Sequence, residues 1–508
     1  MRNCVLLCVL SFFICVFQTK AQVQSPFEIT SPPSPVGSGA RAMGVGGAFI
    51  AVADDGTAAS WNPGALIQLE TPEAAVVGTY DARSIDEDSV DFYDINYLSM
   101  SYPFTILDTN MILSLNYQRL YDFYAGTELD DYVITDYDIT AECLLDGATP
   151  MGFLYDRVYY VDENTYYGEG EISMDQTGEV GAIGAAFAVQ IMPQFSVGIA
   201  YNFWRDSWLG LKAGGFRQEY AQEGDNYNRK SVGYLYDTNG DCICHGTPGD
   251  CAAGDTPVNP ECLDTPVDPA LLGIPSNPEI TEVQGEGYEY ESKQTIKISG
   301  ENFNIGFLWD VDGRWTVGGV YRSGFKADAD RRFEYRWGDT KDSISYAEHL
   351  NFPPSYGLGL GCRYSDALTL TFDMTRVDWG EFYYEYEDGE KISPINGLVK
   401  KKADINPAYT FRGGAEYLFI KPRFVVPVRA GLYYDEQPAR HLPDLFRGVT
   451  IGSGFVYKWL VVDLTYFYRA GENVVTSSSV SGDHEELGKE ETGDIVQQMV
   501  MLSTIIHF

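Results

Sequence analysis

The sequence is poor in basic residues and in histidine. It holds 35 lysines and arginines against 73 aspartates and glutamates, with five histidines and a formal net charge of −38. A surface of that sign repels phosphate backbones, which excludes nucleic acid as a natural partner. Catalytic signatures are missing as well: there is no GxSxG elbow and no HExxH pair, and the histidines lie in predicted loops or at the C-terminus. We therefore expect neither enzymatic activity nor a cofactor.

Long hydrophobic runs are also missing, except at the N-terminus. There Arg2 precedes an apolar run over residues 5–17, and small residues precede an expected cleavage site after Ala21. This pattern predicts a secretory signal peptide over residues 1–21. Beyond it no stretch of 18 apolar residues occurs, so no membrane-spanning helix is predicted.

Cysteine is scarce and unevenly placed. Four of the nine cysteines fall in one polar stretch rich in glycine and proline, namely Cys242, Cys244, Cys251 and Cys262. An exported protein would form two local disulfides there, although a CxC pair followed by two further cysteines is also compatible with zinc. We favour the disulfides because the compartment is oxidising, and we expect no resident metal.

A calcium loop is the other metal-like pattern. Asp237, Asn239 and Asp241 in DTNGD have the spacing of such a loop, but position twelve is Pro248 instead of an acidic residue. An EF-hand is therefore excluded. A solvated turn is favoured over a looser calcium site between acidic loops.

Aromatic residues and alternating segments are abundant. In ALTLTFDMT and LVVDLTYFYR, apolar side chains occupy every second position, which indicates strands with one apolar face. The same pattern, at about the length that crosses a bilayer, predicts fourteen strands. They lie at residues 73–81, 92–102, 110–120, 178–190, 194–204, 298–309, 314–324, 354–364, 367–378, 409–419, 425–434, 448–458, 460–469 and 496–508.

The connections between these strands alternate between short and long. Short turns occur at residues 103–109, 191–193, 310–313, 365–366, 421–423 and 458–459, and the largest loops are 121–177 and 205–297. Outer-membrane barrels have short turns on the periplasmic side and long loops outside. The closing strand also ends on the aromatic Phe508, which is common in such barrels. Residues 73–508 are therefore predicted to form an all-β, 14-stranded antiparallel transmembrane β-barrel.

The segment ARAMGVGGAFIAVADDGTAASWNPGAL precedes the first strand. A barrel of fourteen strands is too wide for wall side chains to fill, so its lumen is either open or plugged. This segment is too apolar for a solvated linker, and its small residues permit close backbone packing. We interpret residues 22–72 as a hatch in the lumen, where Asp54 and Asp55 cap a short helix over residues 56–61 or pair with wall arginines.

The same segment resembles the hatch of the FadL-type outer membrane transporters of long-chain fatty acids and aromatic hydrocarbons, whose pattern reads ARAxGxGGAxxAxADDxxAxxxNPA. The stretches FPPSYGLGLGCRYSDALTLTFDMTRVDW and VPVRAGLYYDEQP are similar to later hairpins of that family. The resemblance implies capture of a hydrophobic compound by extracellular loops, a pocket beside the hatch, and lateral release into the membrane. The residues that match the hatch pattern are Arg41, Gly44, Gly47, Asp54, Asp55, Asn62 and Pro63.

The resemblance also implies the partners: hydrophobic small molecules, such as fatty acids or aromatic hydrocarbons, and the lipid of the Gram-negative outer membrane. We expect a monomer. A second function remains open, because related PorV-type barrels act without transport as adaptors that present cargo for a secretion system. The enlarged loops 121–177 and 205–297 would suit that role, with secretion components as partners.

Overall fold

The computed structural model describes residues 38–508 apart from residues 86–87, 123–124, 149–153, 178, 206–215, 237–278, 338–339, 441 and 481–486. Three short helices precede the first strand: α1 (Ala40–Gly44), α2 (Ala58–Trp61) and a 3-10 helix (Pro63–Gln68). Another 3-10 turn covers Trp379–Glu381. Over the described ranges, none of the helices has the length and apolar character needed to cross a membrane.

The rest of the described chain is almost entirely β-structure. In chain order its strands are β1 (Glu73–Ile85), β2 (Asp88–Ile106), β3 (Thr109–Asp122), β4 (Ala125–Ala148), β5 (Leu154–Thr177), β6 (Glu179–Met192), β7 (Phe195–Arg205), β8 (Phe216–Tyr236), β9 (Glu279–Asp310), β10 (Trp315–Arg322), β11 (Phe325–Trp337), β12 (Thr340–Phe352), β13 (Ser355–Arg363), β14 (Leu368–Val377), β15 (Tyr383–Glu385), β16 (Lys391–Ile392), β17 (Ala408–Ile420), β18 (Val425–Gln437), β19 (Asp444–Tyr457), β20 (Leu460–Val480) and β21 (Leu487–His507).

Fourteen of these strands close into one antiparallel barrel. Their order around the ring is β1, β2, β3, β6, β7, β9, β10, β13, β14, β17, β18, β19, β20 and β21. The ring closes where β21 pairs with β1, from Glu73 opposite His507 to Ile85 opposite Ile495. Each of the fourteen predicted strands overlaps one of these strands, so the predicted barrel and its strand number are confirmed.

Six short connections lie at one end of the barrel, which we call the turn end; the opposite end is the loop end. The connection between β2 and β3, for example, has positive φ at both Leu107 and Asp108, as a two-residue hairpin turn of the right twist requires. The two ends of the barrel sequence also meet at the turn end, where Phe508 N donates to Pro72 O over 2.9 Å.

The outer surface of the barrel is apolar. On β20, Leu464 and Tyr466 are exposed, whereas Asp463 and Thr465 between them are buried on the inner face. A row of exposed aromatic side chains follows the turn end: Trp309, Trp315, Tyr364, Phe419, Phe424, Tyr457, Trp459 and Phe508. An apolar band bordered by an aromatic girdle is the lipid-facing surface of an outer-membrane barrel. The chain is therefore a β-barrel of the Gram-negative outer membrane.

A second sheet continues from the barrel at the loop end. β9 is 32 residues long, and only its part from Gly300 onward pairs with barrel strands. Its earlier part pairs with β8 and β11, in a sheet that also contains β4, β5, β12, β15 and β16. Residues 121–177 and 205–297 are predicted as loops, and over the described parts of these ranges the strands correct that prediction. Their sequences lack a continuous apolar face, which was the signal used to find strands.

The orientation of the barrel can be tested at two matched glycines. Gly389 at the loop end and Gly313 at the turn end both sit in tight turns with positive φ. Apart from its two chain neighbours, neither has a described residue within 4 Å of where its Cβ would be. If long loops face outward, an epitope inserted at Gly389 will be bound by antibody on intact cells, and one at Gly313 only after the outer membrane is opened. Labelling of the Gly313 insertion on intact cells would reverse the orientation.

The predicted disulfide cluster lies outside the described residues, as does the DTNGD stretch. The bonds among Cys242, Cys244, Cys251 and Cys262 therefore stay a prediction. Cys362 on β13 is a free thiol in the described part of the chain.

Candidate functional site

Residues 38–72, which we call the N-terminal segment, pack against the inner face of the barrel. Phe49 and Trp61 are its largest buried rings, 1% and 6% exposed, and they meet edge to face at 6.2 Å. They belong to one hydrophobic core with inward residues of the wall, such as Leu308 and Phe467. Trp61 Nε1 also donates to Ser38 O over 2.7 Å.

Glycines of the wall allow this close packing. Six of them lie on six different barrel strands, and a Cβ on any one would come within 2.1 to 2.8 Å of an atom of the N-terminal segment. They are Gly198, Gly306, Gly318, Gly359, Gly414 and Gly431. Real Cβ atoms do not approach that closely, so the fit between segment and wall depends on the missing side chains.

The Asn-Pro-Gly turn shows how closely the two parts fit. Asn62 Nδ2 donates to Ile50 O over 2.8 Å and to Phe307 O on β9 over 2.9 Å, while its Oδ1 accepts from Gly64 N over 3.1 Å. Pro63 then begins the 3-10 helix. The FadL-type pattern has alanine where this chain has Gly64. A Cβ there would lie 2.7 Å from the backbone of β9, which explains the glycine.

A chain of charged groups joins the segment to the wall on another side. Arg41 donates to Glu416 from Nε and Nη2 over 3.2 and 3.1 Å, and it also pairs with Asp54. Glu416 accepts in turn from Arg429 Nε over 2.6 Å, and Arg429 Nη1 donates to Asp463 over 2.6 Å. The expectation that Asp54 pairs with a wall arginine is wrong. Its partner is Arg41, thirteen residues earlier, and the wall supplies a carboxylate instead.

Asp55 is buried and organises the start of α2. Its Oδ1 accepts from Thr57 N over 2.9 Å and from the Thr57 hydroxyl. Burial is the largest influence on the Asp55 carboxyl and raises its pKa, although Arg41 acts in the opposite direction. The helix starts at Ala58, two residues later than predicted, and Asp55 caps the turn that leads into it.

Further wall residues bind the backbone of the segment. Asp373 on β14 accepts from Phe49 N and Ile50 N over 2.6 and 2.8 Å. The Thr450 hydroxyl donates to Gly44 O over 3.1 Å. A Cβ on Gly44 would lie 3.0 Å from Arg429 Cδ and 3.1 Å from the Thr465 hydroxyl oxygen, which accounts for one of the motif glycines. Gly47 has a φ of 74°, in the left-handed region that glycine favours. These partners could not be predicted from the sequence, because each contact spans more than 300 residues.

Two cavities lie on opposite sides of the N-terminal segment. The loop-end cavity comprises about 1200 Å³ not filled by protein atoms, part of it open to solvent, and it touches Ile50 and Trp61 of the segment. The turn-end cavity comprises about 1640 Å³ on the same measure and touches Arg41 and Asp54. The segment therefore stands between them, with Trp61 toward the first and Arg41, Asp54 and Phe49 toward the second.

Aromatic side chains dominate one side of the loop-end cavity. Phe325 stacks between Trp204 and Phe352, with ring centroids 5.7 and 4.7 Å apart, and Phe382 and Trp379 continue the cluster. This cluster is the inner part of a second hydrophobic core at the loop end. It offers apolar surface to a ligand in the cavity.

The cavity also contains an arginine that forms no hydrogen-bonded ion pair with the described residues. The guanidinium carbon of Arg412 on β17 lies 5.9 Å from the ring centroid of Trp61. Among the described residues Arg412 has no ion-pair partner, although it lines the same cavity as Asp373. Within the described ranges no group of three or more His, Cys, Asp or Glu side chains is placed to hold a metal ion.

Comparisons with known proteins agree with the architecture. No protein-family model matches the chain, and no curated protein matches it. By structure it is similar to a FadL homologue of Pseudomonas aeruginosa, with 13% identity and a TM-score of 0.55 over 95% of this chain and 99% of that chain. It is also similar to the P. putida toluene transporter TodX, at 13% identity, a TM-score of 0.45 and coverage of 93% and 99%. A further similar structure is the monoaromatic hydrocarbon channel CymD, with 16% identity and a TM-score of 0.45 over 95% of this chain and 99% of that chain. The first of these similarities confirms the fold that the sequence resemblance implies.

Proposed function

We propose that this protein is an outer-membrane channel for the passive uptake of hydrophobic compounds. The loop-end cavity carries the proposal, because it combines apolar aromatic walls with a position directly against the N-terminal segment. Binding sites for apolar ligands are concave, largely apolar and equipped with few polar groups. The solved channels and transporters that share this architecture are named for toluene and monoaromatic hydrocarbons, which supports the same class of ligand.

In this proposal the N-terminal segment is the hatch that controls passage. Arg41, Asp54 and Asp55 hold it to the wall and to itself through charged hydrogen bonds. Gly44 and Gly47 permit the close backbone path, and Asn62 with Pro63 fixes the turn against β9. A change in these contacts would open a route from the loop-end cavity, with lateral release into the membrane as the final step.

The guanidinium of Arg412, which forms no hydrogen-bonded ion pair with the described residues, favours an amphipathic carboxylate as one substrate. A long-chain fatty acid could place its chain against the aromatic cluster of Trp204, Phe325 and Phe352 and its carboxylate at Arg412. Arginine binds carboxylates with paired hydrogen bonds, and these are stronger when the surroundings exclude water. Long-chain fatty acids are therefore the substrates we propose.

Substitution of Arg412 tests the substrate class directly. In Arg412→Met, binding of a long-chain fatty acid to the purified barrel is expected to weaken about 10- to 100-fold, because a charged hydrogen bond of about 1.5–3 kcal/mol is lost. Binding of the matching long-chain alcohol should change little, since it never formed the ion pair. Equilibrium binding of both radiolabelled ligands gives the comparison.

Two outcomes are informative here. Equal weakening for the acid and the alcohol would mean that Arg412 shapes the cavity without recognising a carboxylate. If the unaltered protein binds neither ligand, nor an aromatic hydrocarbon, the uptake proposal itself is wrong.

A secretion adaptor is the second candidate function. The observation that favours it is the sheet of β4, β5, β8 and the early part of β9, which continues beyond the barrel and offers a surface to another protein. Co-purification of the protein with secretion components, together with absence of fatty acid binding, would favour the adaptor. A monomer that binds the ligand would favour the channel.

A further inference from the structure

One arginine of the wall holds the carboxyl end of α2. This helix has only four residues, so the carbonyls of its last two residues find no partner within it. Arg322, the last residue of β10, donates from Nη2 to Ser60 O over 3.1 Å and to Trp61 O over 3.0 Å. No other donor of the described residues binds either carbonyl. The attachment of α2 to β10 therefore depends on this guanidinium.

The contact lies at the surface of the loop-end cavity. Arg322, Ser60 and Trp61 all line that cavity, so a ligand in it lies beside the contact. Arg412, to which the proposed function assigns the carboxylate of a fatty acid, lines the same cavity and lies 5.9 Å from the ring centroid of Trp61. Trp61 is thus contacted by two arginines of the cavity, one at its backbone carbonyl and one at its ring.

The two arginines belong to one region of the cavity wall. They are carried by β10 and β17, and β14 lies between these strands in the ring. Both guanidinium groups are close enough to Asp373 on β14 to interact with its carboxylate electrostatically. Asp373 is itself bound to the segment, because its Oδ2 accepts from Phe49 N and Ile50 N. A ligand carboxylate at Arg412 therefore lies in the region that also contains Arg322.

A carboxylate is a better acceptor for Arg322 than the two carbonyls. The present contact uses a single nitrogen of the guanidinium and two uncharged oxygens. A carboxylate accepts two parallel hydrogen bonds from a guanidinium and adds the attraction of opposite charges. That attraction is stronger beside the aromatic cluster than in water, because the effective dielectric constant is lower there. A ligand carboxylate in the cavity therefore competes with α2 for Arg322.

Loss of the contact affects the attachment of the segment beyond α2. The Asn-Pro-Gly turn follows α2 directly, and Asn62 Nδ2 binds β9 at Phe307 O over 2.9 Å. Without Arg322, the end of α2 next to this turn has no hydrogen bond to β10. The segment would then be held on this side of the lumen by the Asn62 turn and by packing of the Trp61 ring.

We propose that Arg322 couples the charge of the ligand to release of the N-terminal segment. A bound carboxylate draws Arg322 away from Ser60 O and Trp61 O and loosens the segment, whereas an uncharged ligand of the same length leaves the contact intact. This inference rests on the proposed function, because it requires a ligand in the loop-end cavity. It adds a selection after binding: acids open the contact, and alcohols or hydrocarbons occupy the cavity without opening it.

Hydrogen exchange read by mass spectrometry tests the coupling in the full-length mature protein in nanodiscs. Exchange in a peptide covering residues 58–66 is measured without ligand, with a saturating long-chain fatty acid, and with the matching alcohol. The acid is expected to raise the exchange rate about tenfold, because amides exchange when the segment opens locally. The alcohol should not raise it. Bound ligands normally protect amides, so faster exchange on binding is a result that a merely structural arginine does not produce.

Two variants separate Arg322 from a general loss of positive charge. In Arg322→Met, exchange of residues 58–66 is expected to be fast without ligand, and the acid should raise it no further. Arg331→Met is the matched control, because Arg331 on β11 is paired with Glu348 in the loop-end sheet over 2.8 and 2.9 Å. It should keep the slow exchange of the unaltered protein and the full response to the acid.

Equilibrium binding of both radiolabelled ligands to the same preparation shows that the cavity is occupied. If the acid binds and exchange of residues 58–66 stays unchanged, or if the alcohol raises it equally, the coupling is wrong and the uptake proposal stands. If neither ligand binds, both fail together. Heat-modifiable migration in gel electrophoresis shows whether each variant is a folded barrel. Should Arg322→Met not fold, the comparison of acid and alcohol in the unaltered protein decides.

Discussion

Proteoliposomes that carry the protein without residues 22–66 will swell rapidly in isotonic solutions of small sugars, whereas those with the intact protein will hardly swell. The wall does not need these residues for closure, because β21 pairs directly with β1 along thirteen residue pairs. Its outer face is covered by lipid-facing side chains of its own. The deleted form should therefore still insert as a barrel.

The reason for the leak is the width of the lumen. Fourteen strands enclose more space than wall side chains can fill. In the described chain, the N-terminal segment occupies the region between the loop-end and turn-end cavities, and its removal joins the two. The joined space would be lined by the inward polar residues that now bind the segment, such as Asp373, Glu416 and Thr450. A lining of that kind admits hydrophilic solutes.

The deletion needs two controls. The variant keeps its signal peptide so that export is unchanged, and heat-modifiable migration shows whether the barrel has formed. Swelling is then compared for solutes of increasing size. If the folded, deleted form is as tight as the intact protein, then the strands and loops at the loop end close the lumen, and the N-terminal segment is not a plug.

The barrel could be predicted because the membrane imposes a simple pattern. Lipid requires an apolar residue at every second position, as in Leu464 and Tyr466 of β20, and turns of a few residues at one end. The sheet at the loop end lies outside the lipid and has no such requirement. Strands such as β4 and β8 therefore carry polar residues on both faces in the sequence, and their pattern predicts loops.

Only the residues that the N-terminal segment contributes to the site could be predicted from the sequence. The motif pointed to Arg41, Asn62 and the motif glycines because they are close together in the sequence. Their partners on the wall are not: Glu416 is 375 residues from Arg41, and Phe307 is 245 residues from Asn62. Many polar residues lie on the inner face of the barrel strands. Only the pairing register of the closed barrel identifies which of these residues contact the N-terminal segment.

Two adjacent glycines on β17 separate the fit of the N-terminal segment from the stability of the barrel. A Cβ on Gly414 would lie 2.3 Å from Val45 O, within the N-terminal segment, whereas a Cβ on Gly413 would have nothing nearer than Thr371 O at 3.8 Å. Both residues pair with β14 and β18. Side chains at these two positions point to opposite faces of the strand, so only a leucine at 414 meets the segment. A difference between them reports on the segment alone.

Gly414→Leu is expected to make the protein leaky to small sugars, and Gly413→Leu to leave it tight. The leucine at 414 occupies space that the segment now fills, and overpacking of this kind costs about 1–3 kcal/mol or more. The segment resists displacement, because burial of Phe49 and Trp61 contributes roughly 2–3 kcal/mol for each ring. We therefore expect partial leakage in Gly414→Leu, less than in the protein that lacks residues 22–66, with liposome swelling as the measurement. Equal tightness of the two variants, with both barrels folded, would mean that the wall yields around the new side chain and that the glycine is not what holds the segment in place.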